Sequence, residues 1–515
     1  MTRLTAPLRP AMAWLHAWLG LLFGGLLYFM FITGTLGYLD TEIDRWMRPE
    51  LPAARYPLAP EPALLQAQTF LQTHAGDARR WTITLPIDRN EPYLRVSWRG
   101  APAAAFAAAS GTAYLDPDSG QQIATRATAG GQTLYQMHWR LHYLPARVSE
   151  WIVGSATLAM LIALVTGVIV HRKIFADFFT FRPGKGQRSW LDAHNLASVV
   201  TLPFQLMITY SGLIFVMFSV MPLVASAWYG AGRSGQEAFL GEVFAPLAPS
   251  HAAGRPAALV PLDKVLEDAR ASWGSAPVAM LEIQDPHDAH ARIQVVGDFA
   301  AGPLRATNIL AYDGVSGERL AQRLAWQSAP KAFRDLMLGL HEGLFAPPVL
   351  RALYVLSGLL GAAMIATGMV LWTSKRRQRG ERHAGLWLVE RLNVAIVIGL
   401  PVAIAAYFWV NRLLPVAMAQ RAAWEVHSLF LAWLLMFVWA ALRPPPRAWK
   451  EQALLAAALF AGLPLLNALT SARHLARALA ENDTAMAGFD LAALATGALF
   501  AAIAWAVARR PPLSG

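Results

Sequence analysis

Residues 135–171 read YQMHWRLHYLPARVSEWIVGSATLAMLIALVTGVIVH. From Ser149 to Val170 the only charged residue is Glu150, and about 20 apolar residues suffice to cross a bilayer. Two histidines four positions apart, His138 and His142, stand ahead of this run, and a third, His171, closes it. Histidine at the edge of an apolar span is expensive to place there and points to function before structure. On a helix, residues four apart share a face, with Cβ atoms roughly 5–6 Å apart.

The same pattern recurs along the chain. Of 515 residues 55% are hydrophobic and 15% charged, and mean hydropathy is +0.36. Eight spans are expected, at roughly 12–38, 149–171, 193–221, 349–372, 390–410, 426–442, 452–470 and 488–508. The first follows Arg3 and Arg9 as a signal peptide would. It is too long for one, and no small-residue cleavage site follows FITGTLGYLD, so it is read as a retained span. The net charge of +11 is concentrated in HRKIFADFFTFRPGKGQR, SKRRQRGERH, RPPPRAWK and ARRPP, which fall on one side if the spans alternate. That is the positive-inside pattern, with both termini cytoplasmic, and it argues against a nucleic-acid partner. The chain has no cysteine, so disulfides, thiolate-bound clusters and covalent haem attachment are excluded.

Two polar segments lie on the opposite side and repeat one another. ALLQAQTFLQTHAGDARRWTITLPIDRNEPYLRVSW and PLDKVLEDARASWGSAPVAMLEIQDPHDAHARIQVV each read as helix, strand, turn, strand. Each continues into a strand and a turn, TAYLDPDSGQQI and ILAYDGVSGERL, sharing Asp-x-x-Ser-Gly. The expected fold is mainly α: a polytopic membrane helical bundle of about eight transmembrane helices with two α+β modules. The divisions are 1–38 (first span), 39–148 (module 1), 149–221 (spans 2 and 3 with a basic loop), 222–348 (module 2), 349–372 (span 4) and 373–515 (a four-helix extension). RGAPAAAFAAASG and APLAPSHAAGRPAALVP are read as loops without regular structure.

Sorted by membrane face, the histidines form two clusters. His16, His171 and His194 lie on the cytoplasmic face, with Ser189 or Asp192 expected to cap the helix of His194. His138, His142 and His341 lie on the outer face, and His427 stands near the start of the sixth span. Zinc prefers close four-coordination with thiolates or carboxylates among its ligands, and these are sparse here. Haem needs only two facing imidazoles and an apolar slot, and GLLFGG, TGTLG and SGLLGAAMIATG supply small residues for one. Axial ligands stand on opposite sides of a ring, so His138 and His142 cannot bind one iron together; His142 is the favoured ligand. The duplicated span order pairs His142 with His341 and His16 with His194, with His138 and His171 as competitors. The DPHDAH histidines, His287 and His290, occupy a hairpin turn, and GKG lacks the phosphate-loop spacing. Arg182, Lys185 and Arg188 are read as anchors at the membrane face or as contacts for anionic groups.

The stretches LHYLP, WIVG, LVTGVIVHRKIFADFFTFRPGKGQRSWLDAHN and LHEGLFAPPVLRALYVLSGLLGAAMIATGMVLWTSKRR resemble the PepSY-associated transmembrane family of bacterial iron-regulated inner-membrane proteins. The two outer modules resemble PepSY domains. The resemblance implies an inner-membrane location with periplasmic modules, two b-type haems, and reduction of a ferric siderophore or related ferric chelate. Electrons would come from a cytoplasmic or quinol donor. The family's histidines correspond to His16, His138, His142, His171, His194 and His341; the extension carrying His427 departs from shorter members. The alternatives are a proton- or metal-coupled transporter and a PepSY-based sensing or scaffold protein without redox activity.

Overall fold

The computed structural model describes residues 5–100, 110–171, 181–244, 247–248, 251–274 and 276–509. Residues 101–109 of the first Ala-rich loop, 172–180 of the basic loop, and 245, 246, 249 and 250 of the second Ala/Pro-rich stretch lie outside these. The chain divides into two units. One comprises Met1–Pro49, Arg126–Pro222 and Ala346–Gly515; the other comprises Glu50–Thr125 and Leu223–Phe345.

The first unit is helical. Among the described residues, seven helices are long and apolar enough to cross a membrane: Leu8–Gly37, Ala146–Val170, Pro348–Gln378, Ala384–Leu413, Arg421–Leu442, Pro445–Thr470 and Thr484–Ala508. The chain is a multi-pass membrane protein that sits in a lipid bilayer. The expected span 193–221 is instead a broken one, Gln187–Val200 and Leu202–Phe215, bent by 68°. The break has a local cause. Pro203 offers no backbone N–H to the preceding turn, and Thr201 Oγ1 donates back to Ala197 O at 2.7 Å.

The Thr5–Gly37 helix packs against both Ala146–Val170 and Pro348–Gln378. Glycines permit that approach: a Cβ on Gly358 would meet Thr35 Oγ1 at 2.3 Å, and one on Gly361 would meet Phe31 Cε1 at 2.5 Å. The last four spans are tied to the earlier part of the unit by buried polar groups. Arg45 pairs with Asp483 at 2.6 Å, and Trp46 Nε1 donates to Asp490 Oδ1 at 2.9 Å. Glu425 is paired with Arg421, both side chains fully buried, and accepts from Thr128 Oγ1 at 2.6 Å and Ala129 N at 2.9 Å. Tyr407 OH donates to Gly130 O at 2.8 Å.

The second unit is built on one antiparallel sheet. Its strands are β1 (Arg80–Thr84), β2 (Arg95–Arg99), β3 (Gly111–Leu115), β4 (Gln122–Ile123), β5 (Val278–Gln284), β6 (Arg292–Gly297), β7 (Ile309–Asp313) and β8 (Arg319–Arg323). Their order is β4-β3-β2-β1-β5-β6-β7-β8. The two sequence repeats each supply a four-stranded meander, and the meanders join where β1 pairs with β5, Trp81 opposite Ile283 and Ile83 opposite Leu281. Two edges that would otherwise present unpaired backbone groups thereby satisfy each other. Helices Pro60–His74 and Leu262–Trp273 cover one face, contributing Leu64, Phe70 and Leu71 from one and Val265, Leu266 and Ala269 from the other. The repeated Asp-x-x-Ser-Gly forms the same turn twice. Asp116 Oδ1 accepts from Ser119 N at 2.8 Å and Asp313 Oδ1 from Ser316 N at 3.0 Å. Gly120 and Gly317 follow at φ +70 and +75. In the DPHDAH turn, His287 packs edge-on against Trp81 and His290 Nδ1 bonds His251 O at 3.1 Å. This is a structural arrangement for both rings.

Candidate functional site

Four helical segments of the first unit meet around two imidazoles. His16, on Thr5–Gly37, and His194, on Gln187–Val200, have ring centres 6.2 Å apart and planes inclined at 74°. Each ring is fixed by a carbonyl on another helix. His16 Nδ1 lies 2.9 Å from Ala163 O, with Thr166 Oγ1 at 3.3 Å. His194 Nδ1 lies 2.8 Å from Met364 O. A carbonyl oxygen only accepts, so Nδ1 carries the proton in each neutral ring, and Nε2 keeps its lone pair.

The fit is repeated by symmetry of sequence. Ala163 is followed four residues on by Gly167, and Met364 by Gly368. A Cβ on Gly167 would come within 3.3 Å of His16 Cε1, and one on Gly368 within 3.1 Å of His194 Cε1. The glycine clears the surface on which the ring lies, while the carbonyl one turn earlier receives its N–H. The signal is visible in the chain as ALVTG and MIATG, a Thr-Gly at the same place in two corresponding spans. The slot reading of SGLLGAAMIATG included Gly368, but Gly167 was not singled out.

His171 caps the end of Ala146–Val170, within electrostatic reach of His194. Its Nε2 is buried and has no hydrogen-bond partner among the described residues. The loop ahead of His194 is held by Asp192, which accepts from Arg182 N, Nε and Nη2 at 3.1, 2.9 and 2.9 Å. Ser189 Oγ accepts from Lys185 N at 2.8 Å and donates to Arg182 O at 2.6 Å. Neither residue caps the helix as expected: it starts earlier, with Gly186 as N-cap at φ 59. Arg182 is committed to Asp192, whereas Lys185 and Arg188 are exposed.

At the other end of the first helix lies His138. From His16 to Gly34 is 18 residues, about 27 Å of helix. A Cβ on Gly34 would sit 3.6 Å from His138 Cγ, and His138 Nδ1 bonds Tyr135 O. Burial holds the His138 pKa below its ordinary value, against the opposing pull of that carbonyl. His142 differs. It is exposed and stacks on Phe430 at 5.9 Å, and its pKa is lowered by partial burial, then by the neighbouring charges of His427 and Arg140. Of the two, His138 is the half-buried, carbonyl-oriented ring and His142 the exposed one. His427 Nδ1 is 2.7 Å from Tyr143 OH, with the rings stacked. His341 lies in the second unit, in the last turn of Ala329–Glu342. Among the described residues no group of three or more His, Cys, Asp or Glu is arranged to hold a bare metal ion.

Residues 13–375 match the family model for the PepSY-associated TM region. The chain belongs to the PepSY-associated TM family. The matched region contains His16, His138, His142, His171, His194 and His341 together with Gly167 and Gly368, whereas His427 lies beyond it. No curated protein matches the chain.

Proposed function

We propose that this PepSY-associated TM protein is an inner-membrane electron carrier that holds two b-type haems and reduces a ferric siderophore or related ferric chelate in the periplasm. The single observation that carries the reading is the His16–His194 pair. Two imidazoles on opposite sides of one iron stand two metal–nitrogen bonds of about 2 Å apart, plus about 1 Å within each ring. That amounts to a ring-centre separation of about 6 Å, and the observed value is 6.2 Å. Both rings keep an Nε2 lone pair, and the unpartnered, buried Nε2 of His171 adds a third nitrogen to the same neighbourhood.

A haem held by His16 and His194 would supply one-electron chemistry. The chain's own part is positional. Ala163 and Met364 carbonyls fix the tautomer and orientation of the ligand rings, which also raises their basicity. Gly167 and Gly368 leave room for the rings, and His138 offers a comparable nitrogen at the far end of the first helix. The absence of cysteine makes attachment non-covalent. Basic segments concentrated on one side of the spans support a cytoplasmic face there, and with it a periplasmic eight-stranded unit.

The deciding experiment is an absorption spectrum of the purified protein, oxidised and then reduced with dithionite. A Soret band with b-type reduced bands is expected, at two haems per chain. His16→Ala and His194→Ala should each lose one haem, and the double variant no more than either single. His138→Ala should lose the other, while His142→Ala keeps both. A colourless preparation from haem-replete cells would end the electron-carrier reading.

A further inference from the structure

The second unit has a recess of about 540 Å³ on the sheet, within the roughly 300–1,000 Å³ usual for small-molecule sites. Its chemistry is unusual for a sheet face. Arg80 on β1 and Arg99 on β2 stand directly opposite each other in the antiparallel register. Like charges so placed are destabilising, with Cβ atoms about 4.5–5.5 Å apart. Both are exposed, and neither guanidinium has an ion-pair or hydrogen-bond partner among the described residues. Other arginines of this unit are paired: Arg79 with Asp285, Arg95 with Glu91, Arg292 with Asp313 and Arg319 with Asp268.

Around the two arginines the strands present hydroxyls. Thr82 pairs with Ser97, and Ser97 with Thr112, so three hydroxyl side chains continue the face that begins with Arg80 and Arg99. All of them line the recess. Glu282 on β5, opposite Thr82, also lines the recess and has no ion pair among the described residues, so two cations and one anion give a net +1. Guanidinium forks match carboxylate and other planar oxyanions in bidentate geometry, and short hydroxyls add donors without filling space.

We infer that this recess binds an oxygen-rich polyanion of the hydroxycarboxylate kind, and that its ligand is the anionic ferric chelate to be reduced. The identity of the chelate as substrate rests on the electron-carrier reading above; the anion site does not. The two arginines tolerate their mutual repulsion because a bound polyanion neutralises both, and the hydroxyls orient it.

The test is calorimetric titration of the full chain in detergent with citrate and with ferric citrate. The wild type should bind both, and more weakly as salt is raised. Arg80→Gln and Arg99→Gln should each weaken binding by about tenfold or more, the loss of a charge-assisted hydrogen bond. Arg80→Lys should retain part of the affinity, and Arg233→Gln, on the Gly232–Phe244 helix, all of it. Thermal midpoints of the two glutamine variants should stay level or rise, because a repulsion has been removed. Wild-type protein that binds neither probe, variants that bind like wild type, or a loss of binding that tracks a lowered midpoint would each overturn the site. Protein that purifies colourless from haem-replete cells yet binds citrate through these arginines would sink the electron-carrier reading and leave the site standing. Haem-loaded protein with unaltered variants would remove the site alone.

Discussion

Gly167 and Gly368 show how much a single missing methyl group decides. Each lies against the Cε1 edge of a histidine, at a distance where a Cβ is tolerated only if the ring gives by a few tenths of an ångström. The rings cannot give freely, because His16 Nδ1 is held by Ala163 O and His194 Nδ1 by Met364 O. Gly167→Ala and Gly368→Ala are therefore expected to fold, since alanine favours helix by about 1 kcal/mol over glycine. On the two-haem reading proposed above, they should shift the reduced spectrum or potential of one haem while leaving the other unchanged. Gly167→Leu and Gly368→Leu should lose that haem outright, as read by pyridine haemochrome content. Full haem content in both leucine variants would show that the glycines serve helix packing alone. The pairing of His16 with His194 was legible from the duplicated span order, and the two rings do meet. Which of His138 and His142 is the more enclosed was not, because helical spacing would put both on one face, whereas the helix ends at Met137 and only His138 packs on Gly34.

Turns and breaks carry the argument at the scale of elements. The two Asp-x-x-Ser-Gly turns were readable because their requirements are local: a carboxylate that accepts from the following N–H groups, and a glycine at positive φ. The Ser119 N–H, then its hydroxyl, hold the Asp116 carboxyl below the usual range. Burial pushes Asp313 up, but the N–H groups of Ser316 and Val315, with Arg292, outweigh it and leave it lowered. An acid with a depressed folded pKa is protonated first in the unfolded chain. Its stabilisation is therefore complete above about pH 4 and disappears as pH falls through the folded pKa. Asp116→Asn with Asp313→Asn is expected to flatten the loss of thermal midpoint between about pH 5 and pH 3. An acid profile identical to wild type would mean these turns carry none of it. The broken span at Thr201 was not legible as a break. Pro203 is visible in the sequence, but a proline-bent helix and a straight one share the same apolar run.

Over the whole molecule, the family match ends at residue 375, yet the last four spans are not a loose appendix. Arg45 and Asp483 meet with side chains 2% and 4% exposed, linking the segment after the first span to the last span. Removing one member of such a pair leaves a buried charge uncompensated, a loss of about 3–5 kcal/mol. Asp483→Asn keeps the oxygen that caps the Thr484–Ala508 helix while deleting the charge. It should lower the thermal midpoint in detergent, and Arg45→Met in the same chain should restore part of the loss. An unchanged midpoint in Asp483→Asn would deny the link any weight. Orientation is tested separately: cysteines introduced one at a time for Ser119 and Ser316 should both react with an impermeant thiol reagent in intact spheroplasts. Protection of either in folded protein would contradict a periplasmic sheet.

The sequence alone determined the apolar segments and the duplication. Each of these depends on nearest neighbours along the chain: run length, strand alternation, turn chemistry. Three features were decided only in the folded chain. The two modules share one sheet because β1 and β5 each offer an unpaired edge, and no pattern within either strand names its partner. His16 and His194 meet because two Thr-Gly sites on separate helices receive them. Arg80 and Arg99 face each other because backbone register sets them opposite, against their own repulsion. Pairing between distant segments is chosen by the packing of whole faces, which a linear sequence specifies without displaying.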